Sequence, residues 1–301
     1  MADTKIEWAD AVWNPVTGCQ KVSQGCKNCY AERLAGRFWG DRKFTDVQTH
    51  PDRLEDPLKW RKPRRIFVNS MSDLFHKDVP DEFIDRVFAV MFDANHHTFM
   101  ILTKRPERMA EYLSPDNPRY TARKVFDLTK GDAGKFDCDM YWPLDNVWLG
   151  VSVEDQKAAD DRVPWLLKVP AAVRFLSCEP MLGPVDISWW TEKCPGCGES
   201  PKREGLNSSW RWGGQNWAHY HGYPIGYIPS IRATGIDWVI SGCESGPGAR
   251  PMHPDWARGL RDQCQTANIP FFLKQMVDEG KIKKLPELDG KVWNQFPEVQ
   301  P

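Results

Sequence analysis

Three cysteines near the N-terminus have a spacing that could bring their thiols to one metal centre. Cys19, Cys26 and Cys29 form a C-x6-C-x2-C pattern, and Gly18 and Gly25 allow the loop between them to fold back. A structural zinc site normally has four ligands, so zinc would need a further, distant His or Cys. A [4Fe–4S] cluster is also normally held by four thiolates, and three would leave one iron open to an outside ligand. The spacing therefore predicts either a zinc site or a cluster with an open iron.

A second pair of cysteines lies in the C-terminal half of the chain. Cys194 and Cys197 form a C-x2-C knuckle of the type found in zinc ribbons, and His219 and His221 follow in the same segment. Together the four side chains would complete a zinc site that staples a segment rich in Gly and Trp. An auxiliary iron–sulfur cluster or a plain pair of thiols fits the same residues.

Six short apolar runs, each followed by polar residues, predict the strands of a sheet. Runs bounded in this way by turn residues suit strands that are buried on both faces. Helical patterns lie between runs at residues 81–93 and 254–267, and a third pattern, at residues 30–38, follows the cysteine loop; in each, apolar side chains share one helical face. Strands that alternate with helices predict right-handed βαβ units and a parallel sheet. The six runs are residues 66–68, 99–102, 147–151, 173–176, 238–240 and 270–273.

The polar residues that follow these runs are predicted to form one functional face. In parallel α/β folds, chemistry occurs at the carboxyl ends of the strands, and all six polar clusters fall there. Glu179 and Glu244 would orient a substrate at this face, or pair with Arg250 and Lys274. Polar residues also simply mark strand ends, but six clusters in succession favour an active-site face.

Two segments interrupt the alternation of strands and helices. Residues 106–146 are polar and contain Pro, Gly and Lys, which predicts an elaborated connection or a lid. Residues 187–235 are rich in Trp, Gly and Pro, and we expect an inserted metal-binding subdomain there. The whole chain, residues 1–301, is expected to form a single domain around these segments.

The composition is that of a globular chain with a hydrophobic core. Of 301 residues, 41% are hydrophobic and 27% are charged, and 40 basic against 41 acidic residues give a net charge of -1. The overall charge therefore provides no global field for nucleic acid or an anionic membrane. No apolar run approaches the roughly 18 residues that span a bilayer, and residues 1–10 lack the pattern of a signal peptide. We therefore expect a cytoplasmic protein.

Two local runs nevertheless combine basic and aromatic residues. Residues 59–65 read KWRKPRR, and residues 202–203 (KR) and 210–212 (WRW) lie in the inserted segment. Basic residues interleaved with Trp suit single-stranded or flipped-out bases, through phosphate contacts and stacking. Because solvated surface explains most runs of charge, a nucleic-acid substrate is a minority hypothesis.

Six stretches of the chain carry a resemblance to known proteins. They are WNPVTGCQKVSQGCKNCYAERLA, FVNSMSDLFH, ILTKRPERM, WLGVSVEDQ, RFLSCEPMLGPVD and WVISGCESGPGARPMHPDW. They resemble the radical S-adenosylmethionine (SAM) superfamily and, more narrowly, a phage-associated three-Cys-motif family of unassigned function. The usual superfamily spacing is C-x3-C-x2-C with an aromatic residue before the last Cys. Here the first gap has six residues, and Asn28 takes the aromatic position.

The resemblance implies a fold, an activity and partners. The fold would be a partial (β/α)6-type barrel with a Cys- and Trp-rich insertion, in which Cys19, Cys26 and Cys29 hold a [4Fe–4S] cluster whose open iron chelates SAM. One-electron reduction would cleave SAM to methionine and a 5′-deoxyadenosyl radical. The radical would act on an unknown substrate, with a nucleic-acid base or nucleotide as one candidate. Implied partners are an electron donor of the flavodoxin or ferredoxin type and a three-Cys-motif partner protein.

The resemblance also implies roles in SAM binding. The second superfamily strand ends in a motif that receives the SAM amino group, and Ser70 and Asp73 occupy that position here. Lys104 would pair with the SAM carboxylate. Ser152 or Glu154 would hydrogen-bond the ribose hydroxyls.

Four further residues at two strand ends are catalytic candidates under this resemblance. Cys178 or Cys243 could donate a hydrogen atom to a radical if its thiol faced the barrel mouth, beside Glu179 and Glu244. A free Cys is also a common small core residue, which is the favoured interpretation.

Two other functions fit the same residues. In a non-enzymatic zinc protein, both cysteine groups would be structural, and the Trp-rich insertion would recognise a partner. In a barrel nuclease or hydrolase, Asp73, Glu154, Glu179 and Glu244 would bind a divalent metal. The first predicts zinc without iron. The second predicts activity that survives replacement of all three N-terminal cysteines.

Overall fold

The architecture is mixed α/β, and a computed structural model describes residues 4–114, 128, 143–191, 202–203, 210–211, 235–278 and 280–298. The helices are α1 (Tyr30–Phe38), α2 (Asp81–Asp93), α3 (Pro106–Tyr112), α4 (Gln156–Leu166), α5 (Ser188–Thr191) and α6 (Pro254–Thr266). The strands are β1 (Ala11–Trp13), β2 (Val16–Thr17), β3 (Gln48–Thr49), β4 (Arg65–Val68), β5 (Thr98–Thr103), β6 (Val147–Ser152), β7 (Val173–Cys178), β8 (Lys202–Arg203), β9 (Trp210–Arg211), β10 (Trp238–Gly242), β11 (Phe271–Asp278), β12 (Lys281–Lys284), β13 (Glu287–Leu288) and β14 (Lys291–Val292).

The central sheet is a curled half-barrel of eight strands, most of them parallel. Its order is β1-β4-β5-β6-β7-β10-β11-β12, and only β12 is antiparallel to its neighbour. The two edges approach each other, because Lys284 on β12 pairs with Glu7 and donates to the Lys5 carbonyl at 2.9 Å, just before β1. The predicted parallel sheet is confirmed, and all six predicted strands belong to it.

Alternate residues of the strands face two separate cores, because successive side chains of a strand point to opposite faces. On β10, Val239 packs with the helices, whereas Trp238 and Ile240 face the inside of the half-barrel. Trp238 makes edge-on contacts with Trp8, Trp148 and Phe272 at ring-centroid distances of 6.4, 5.8 and 6.0 Å. The half-barrel therefore has a packed aromatic interior rather than an open channel. Its buried side chains are Trp8, Ala9, Phe67, Met100, Trp148, Val173, Phe175, Trp238, Ile240 and Phe272.

The outer core is formed by the other face of the sheet and the helices. Phe83, Ile84 and Val87 of α2 are buried in it, as is Leu260 of α6. The predicted helices at 30–38, 81–93 and 254–267 are confirmed, the last ending at Thr266. Within the described ranges, no helix is long and apolar enough to cross a membrane.

The two interrupting segments are described only in part. Residues 106–112 form α3, and its Met109 and Ala110 are buried in the outer core, so this part is a packed helix rather than the expected polar connection. The predicted insertion begins with Ile187 and Trp190, which also join the outer core. Residues 115–127, 129–142, 192–201, 204–209 and 212–234, which hold the rest of the expected lid and subdomain, lie outside the described residues.

Candidate functional site

The cysteine loop, residues 18–29, lies across the mouth of the half-barrel, which is the opening at the carboxyl ends of its strands. The loop enters the mouth beside β4, where Gly18 donates to the Met71 carbonyl at 3.0 Å. Gly18 has a φ of 93°, and a Cβ there would lie 2.4 Å from the Asp46 carbonyl oxygen. Glycine is therefore required where the loop begins.

Glu154, just after β6, holds the middle of the cysteine loop. The Ser23 hydroxyl donates to Glu154 Oε1 at 2.6 Å. A Cβ on Gly25 would lie 2.2 Å from the same oxygen, so the loop backbone passes directly over the carboxylate. This close approach depends on glycine at position 25.

Two cations keep the buried Glu154 carboxylate charged. Arg162 Nη1 on α4 donates to Glu154 Oε2 at 2.7 Å, and Lys104 Nζ lies 3.4 Å from Oε1. Burial opposes ionisation, but Lys104 and Arg162 together hold the pKa of Glu154 below its ordinary value. The loop therefore rests on a charged, fully partnered carboxylate.

Glu244, just after β10, holds the end of the loop. Asn28 Nδ2 donates to Glu244 Oε2 at 2.8 Å, and the Arg250 guanidinium binds both carboxylate oxygens at 2.5 and 3.0 Å. Arg250 also donates to the Gln24 carbonyl at 3.0 Å. Against the effect of burial, the hydrogen bonds from Arg250 and Asn28 lower the pKa of Glu244 to about 2.

Arg105, just after β5, contacts the first cysteine. Its Nη1 lies 3.5 Å from Cys19 Sγ and 2.9 Å from Asp73 Oδ2, and its Nη2 donates to the Gln20 carbonyl at 3.0 Å. Burial and the Asp73 charge raise the pKa of Cys19 to about 11, although Arg105 acts in the opposite direction. In the ligand-free protein this thiol is protonated at neutral pH, so binding of a metal centre would release its proton.

The three cysteines of the loop are the candidate ligands for a metal centre. Cys19, Cys26 and Cys29 are all free and partly exposed on one loop. Across the described part of the chain, no three His, Cys, Asp or Glu side chains converge as a site for a single ion. In a cubane cluster each thiolate binds its own iron, so convergence on one point is not needed. Ser23 Oγ, 3.9 Å from Cys26 Sγ, and Arg105 beside Cys19 are polar groups of the kind that tune such clusters.

Asp73 does not fit the predicted role of receiving the SAM amino group. Its Oδ1 accepts from Phe75 N at 3.0 Å and Thr103 Oγ1 at 2.8 Å, and its Oδ2 accepts from Lys104 N at 3.1 Å and from Arg105. A carboxylate has about four acceptor sites, so these four donors saturate it. Asp73 instead fixes the end of β5.

The other SAM candidates divide into accessible and buried residues. Ser70 lies at the mouth, where its hydroxyl donates to Asn14 Oδ1 at 3.2 Å and its carbonyl accepts from Tyr30 Oη at 2.6 Å. Lys104 borders a cleft of about 380 Å³ beside the cysteine loop. Ser152 and Glu154 are buried, so both lie too deep for the ribose contacts predicted for them.

Cys178 and Cys243 do not face the mouth. Both thiols are fully buried in the outer core, where Cys178 lies close to Cys264 of α6. Burial raises the pKa of Cys178, and it raises that of Cys243 to about 11. Their placement corresponds to the small core residue rather than to a hydrogen donor.

Glu179 and Lys274 form an ion pair that takes no part in holding the loop. Lys274 Nζ lies 2.5 Å from Glu179 Oε1, and both side chains are partly exposed. The pair bridges β7 and β11 across Gly242, whose Cβ would lie 3.4 Å from Glu179 Cδ. Both predicted pairs, Glu179 with Lys274 and Glu244 with Arg250, are present.

One group of predicted basic residues lies away from this site. Residues 59–64 precede β4 and Arg65 is its first residue, so this basic run is at the amino end of the sheet, opposite the mouth. Arg65 pairs with Asp10. Of the second basic run, residues 202–203 and 210–211 form the β8–β9 pair, and residue 212 lies outside the described residues. The predicted second metal site, Cys194, Cys197, His219 and His221, lies outside the described residues.

Four residues that build the site were not predicted. Ser23 and Asn28 lie in the loop between the cysteines, and Arg105 directly follows Lys104. Of these residues, only Arg105 could have been predicted from the sequence. It follows the end of a strand, as the predicted candidates do. Arg162 lies eight residues after the carboxylate that it binds, with no sequence pattern that marks it.

Comparison with known proteins gives a family. Neither the curated proteins nor the solved structures include a match to this chain. One protein family, described as a protein of unknown function (DUF5131), matches residues 3–297, which is nearly the whole sequence. The chain belongs to the DUF5131 family.

Proposed function

We propose that the protein is a radical SAM enzyme whose [4Fe–4S] cluster is held by Cys19, Cys26 and Cys29. The observation that carries the proposal is the fastening of the cysteine loop over the mouth through Glu154 and Glu244. When bound, the cluster would supply the electron that cleaves SAM and generates a 5′-deoxyadenosyl radical. The half-barrel fold is compatible with this chemistry but does not by itself specify it.

Residues at the mouth would bind and orient SAM. Lys104, at the cleft beside the loop, would attract the SAM carboxylate, and the Ser70 hydroxyl retains acceptor capacity for the amino group. Asp73 would act indirectly, because it fixes the backbone of Lys104 and the guanidinium of Arg105. The aromatic interior under the mouth would exclude water from the amino end.

The substrate would enter on the side of Glu179 and Lys274. Among the described contacts, this ion pair has no hydrogen bond or ion pair to the cysteine loop, so a ligand could displace it without releasing the loop. A nucleic-acid base or nucleotide remains one candidate, although the basic run at residues 59–65 cannot help to bind it at the mouth.

The carboxylates give less support to a divalent-metal nuclease or hydrolase. Asp73, Glu154, Glu179 and Glu244 each have a cationic partner within 3.4 Å. An ion would have to displace those partners and leave buried cations without compensation, which is costly. In a metal-dependent hydrolase, the carboxylates are expected to be available to bind the metal ion.

The experiment that tests the proposal is anaerobic purification followed by measurement of iron, sulfide, zinc and the visible spectrum. About four irons per chain, bleached by dithionite and lost in Cys29→Ala, are expected, together with dithionite-dependent conversion of SAM to 5′-deoxyadenosine. Zinc alone, unchanged after anaerobic reconstitution with iron and sulfide, would overturn the proposal. Activity that survives replacement of all three cysteines would point to the hydrolase.

A further inference from the structure

The basic residues at the amino end of the sheet take no part in the site described above. Residues 59–65 contain five cations and no acidic residue, although the whole chain has a net charge of -1. We call residues 59–65 the first basic run. Lys59, Arg61 and Lys62 are exposed, whereas Arg64 and Arg65 are half-buried where β4 begins. The amino end of the sheet therefore carries a local positive charge that the overall composition does not reveal.

The fold fixes the backbone of the first basic run on both sides. Trp60 N donates to the Pro57 carbonyl at 3.1 Å, and the Trp60 carbonyl oxygen lies 2.7 Å from His96 Nε2. At the other end of the run, the Arg64 carbonyl accepts from Thr98 N at 2.9 Å. The cations are therefore presented from an ordered segment, and binding of a ligand would need little further ordering of the chain.

The middle of the first basic run holds the cations that are open to a ligand. Arg61 and Lys62 are exposed, and no hydrogen bond or ion pair joins either side chain to another residue of the described ranges. Lys59 pairs with Asp56 at 3.0 Å, but both side chains are exposed, and pairs of this kind contribute little to stability. An anionic ligand would therefore find two free cations and a third that it can take from Asp56.

The surface around the first basic run favours a polynucleotide over a protein or a membrane. Within residues 51–65, all of which the structure describes, no large apolar side chain is exposed. Protein interfaces have a hydrophobic core, and membrane-surface helices bury apolar side chains, so both kinds of partner would lack an anchor here. A polynucleotide backbone is a regular row of phosphates that binds through cations alone. The run spans at most about 20 Å, a length over which one strand of a DNA duplex presents about six phosphates.

We propose that the first basic run binds the phosphate backbone of a polynucleotide, with Arg61 and Lys62 each contacting one phosphate. The run lies at the amino end of β4, whereas the cysteine loop lies at the mouth, so this surface is separate from the candidate metal ligands. The binding therefore goes beyond the function proposed above and does not depend on it. Contacts of this kind release counterions from the phosphates, so the affinity falls as salt rises.

The test measures binding of the full chain to fluorescein-labelled DNA of about 20 nucleotides, single-stranded or duplex, by fluorescence anisotropy between about 50 and 200 mM salt. Each phosphate contact contributes about 0.7 to the steepness of log affinity against log salt on a single strand, and about 0.9 on a duplex. Arg61→Ala and Lys62→Ala should each reduce the steepness by that amount for the form of DNA that the run contacts. The double variant should weaken single-strand binding about 25-fold at about 0.1 M salt. Arg86→Ala, which removes a cation from an exposed position on α2, should change neither quantity.

The outcomes separate this proposal from the proposed function. No binding to either form of DNA at low salt, or a wild-type salt dependence in both single variants, would overturn the proposal. Variants that lose binding to phosphatidylserine vesicles or to polyglutamate, but keep their affinity for DNA, would identify a membrane or an acidic protein as the occupant instead. Cys29→Ala is expected to bind DNA as the wild type does, whatever metal either protein holds. Loss of DNA binding in Cys29→Ala would place the nucleic acid at the cysteine loop and overturn the assignment to the first basic run.

Discussion

Ser23 and Glu154 are separated by 131 positions in the chain and joined by a hydrogen bond of 2.6 Å. Ser23 lies between two cysteines of the loop, and Glu154 lies just after β6, in the middle of the sheet. The bond therefore couples the conformation of the cysteine loop to the buried charges at the mouth. Formation of the loop is thus expected to depend on the folded sheet rather than on the local sequence.

Loss of the Glu154 carboxylate is expected to destabilise the whole domain. Glu154→Ala would leave Arg162 buried without its partner, which costs about 3–5 kcal/mol in the free energy of unfolding. Ser23→Ala removes only a hydrogen bond to a charged group and should cost about 1.5–3 kcal/mol. Urea denaturation measures both, with Asp161→Ala, at an exposed ion pair of α4, as a control that changes stability by less than about 1 kcal/mol. Equal costs for Glu154→Ala and Asp161→Ala would contradict the buried network.

Alanine should be harmful at one glycine of this region and stabilising at another, eleven residues further along the chain. At Gly25 a methyl group would meet Glu154 Oε1 at 2.2 Å, so Gly25→Ala must displace the loop and should reduce the iron bound after reconstitution. At Gly36, inside α1, the methyl group would meet nothing within 4 Å. Gly36→Ala should therefore raise the free energy of unfolding by about 0.5–1 kcal/mol and leave iron binding unchanged. Normal iron content in Gly25→Ala would show that the loop does not need its close contact with Glu154.

The sheet could be predicted from the sequence because each buried strand is a short apolar run ended by polar residues. Ile66–Val68 and Trp238–Ile240 show this pattern, and both became strands of the half-barrel. The parallel direction of the strands followed from their alternation with helices. The inner aromatic core was not predicted, because a run that is apolar throughout does not reveal which alternate residues face inward.

The candidate site was predicted less well than the fold, because the local sequence does not indicate which side chains form pairs in the folded protein. From the sequence alone, Glu154 cannot be distinguished from a ligand-binding carboxylate. The structure shows that it is paired with Arg162. Asp73 likewise matched a SAM-binding position, and only the structure showed its four donors. Cys178 and Cys243 follow the same strands as Glu179 and Glu244, but the alternation of side chains places the thiols on the outer face.

The stability contributed by Glu244 is expected to fall at acid pH. Its pKa is lowered from 4.5 to about 2 in the folded protein by hydrogen bonds from Arg250 and Asn28, against the opposing effect of burial. A group with a depressed folded pKa stabilises the protein above its unfolded pKa and loses that contribution as pH falls toward the folded value. The difference in free energy of unfolding between wild type and Glu244→Gln should therefore be constant above about pH 5 and shrink below about pH 4.5. A difference that grows on acidification would contradict the assignment.

Alkylation should separate the cysteines of the loop from those of the core. In metal-free protein, iodoacetamide is expected to modify Cys26 and Cys29, which are partly exposed, before Cys178, Cys243 and Cys264, which are buried. Mass spectrometry of peptides from briefly treated protein measures the order. Treatment in guanidinium, where every thiol is accessible, is the control. Native modification of Cys178 as fast as that of Cys29 would mean that its thiol reaches solvent at the mouth after all.

Trp238 is expected to be the most costly aromatic residue to remove from the half-barrel. It is fully buried, touches rings from the N-terminal segment, β6 and β11, and donates from Nε1 to the Gln295 carbonyl at 2.8 Å. Trp238→Ala should lower the free energy of unfolding by about 3–5 kcal/mol, because the interior cannot collapse into the space left behind. Trp189→Ala, at a position 53% exposed, should change it by about 0.5 kcal/mol or less. Similar costs for the two variants, measured by urea denaturation, would show that the interior of the half-barrel is not the packed aromatic core on which the mouth is built.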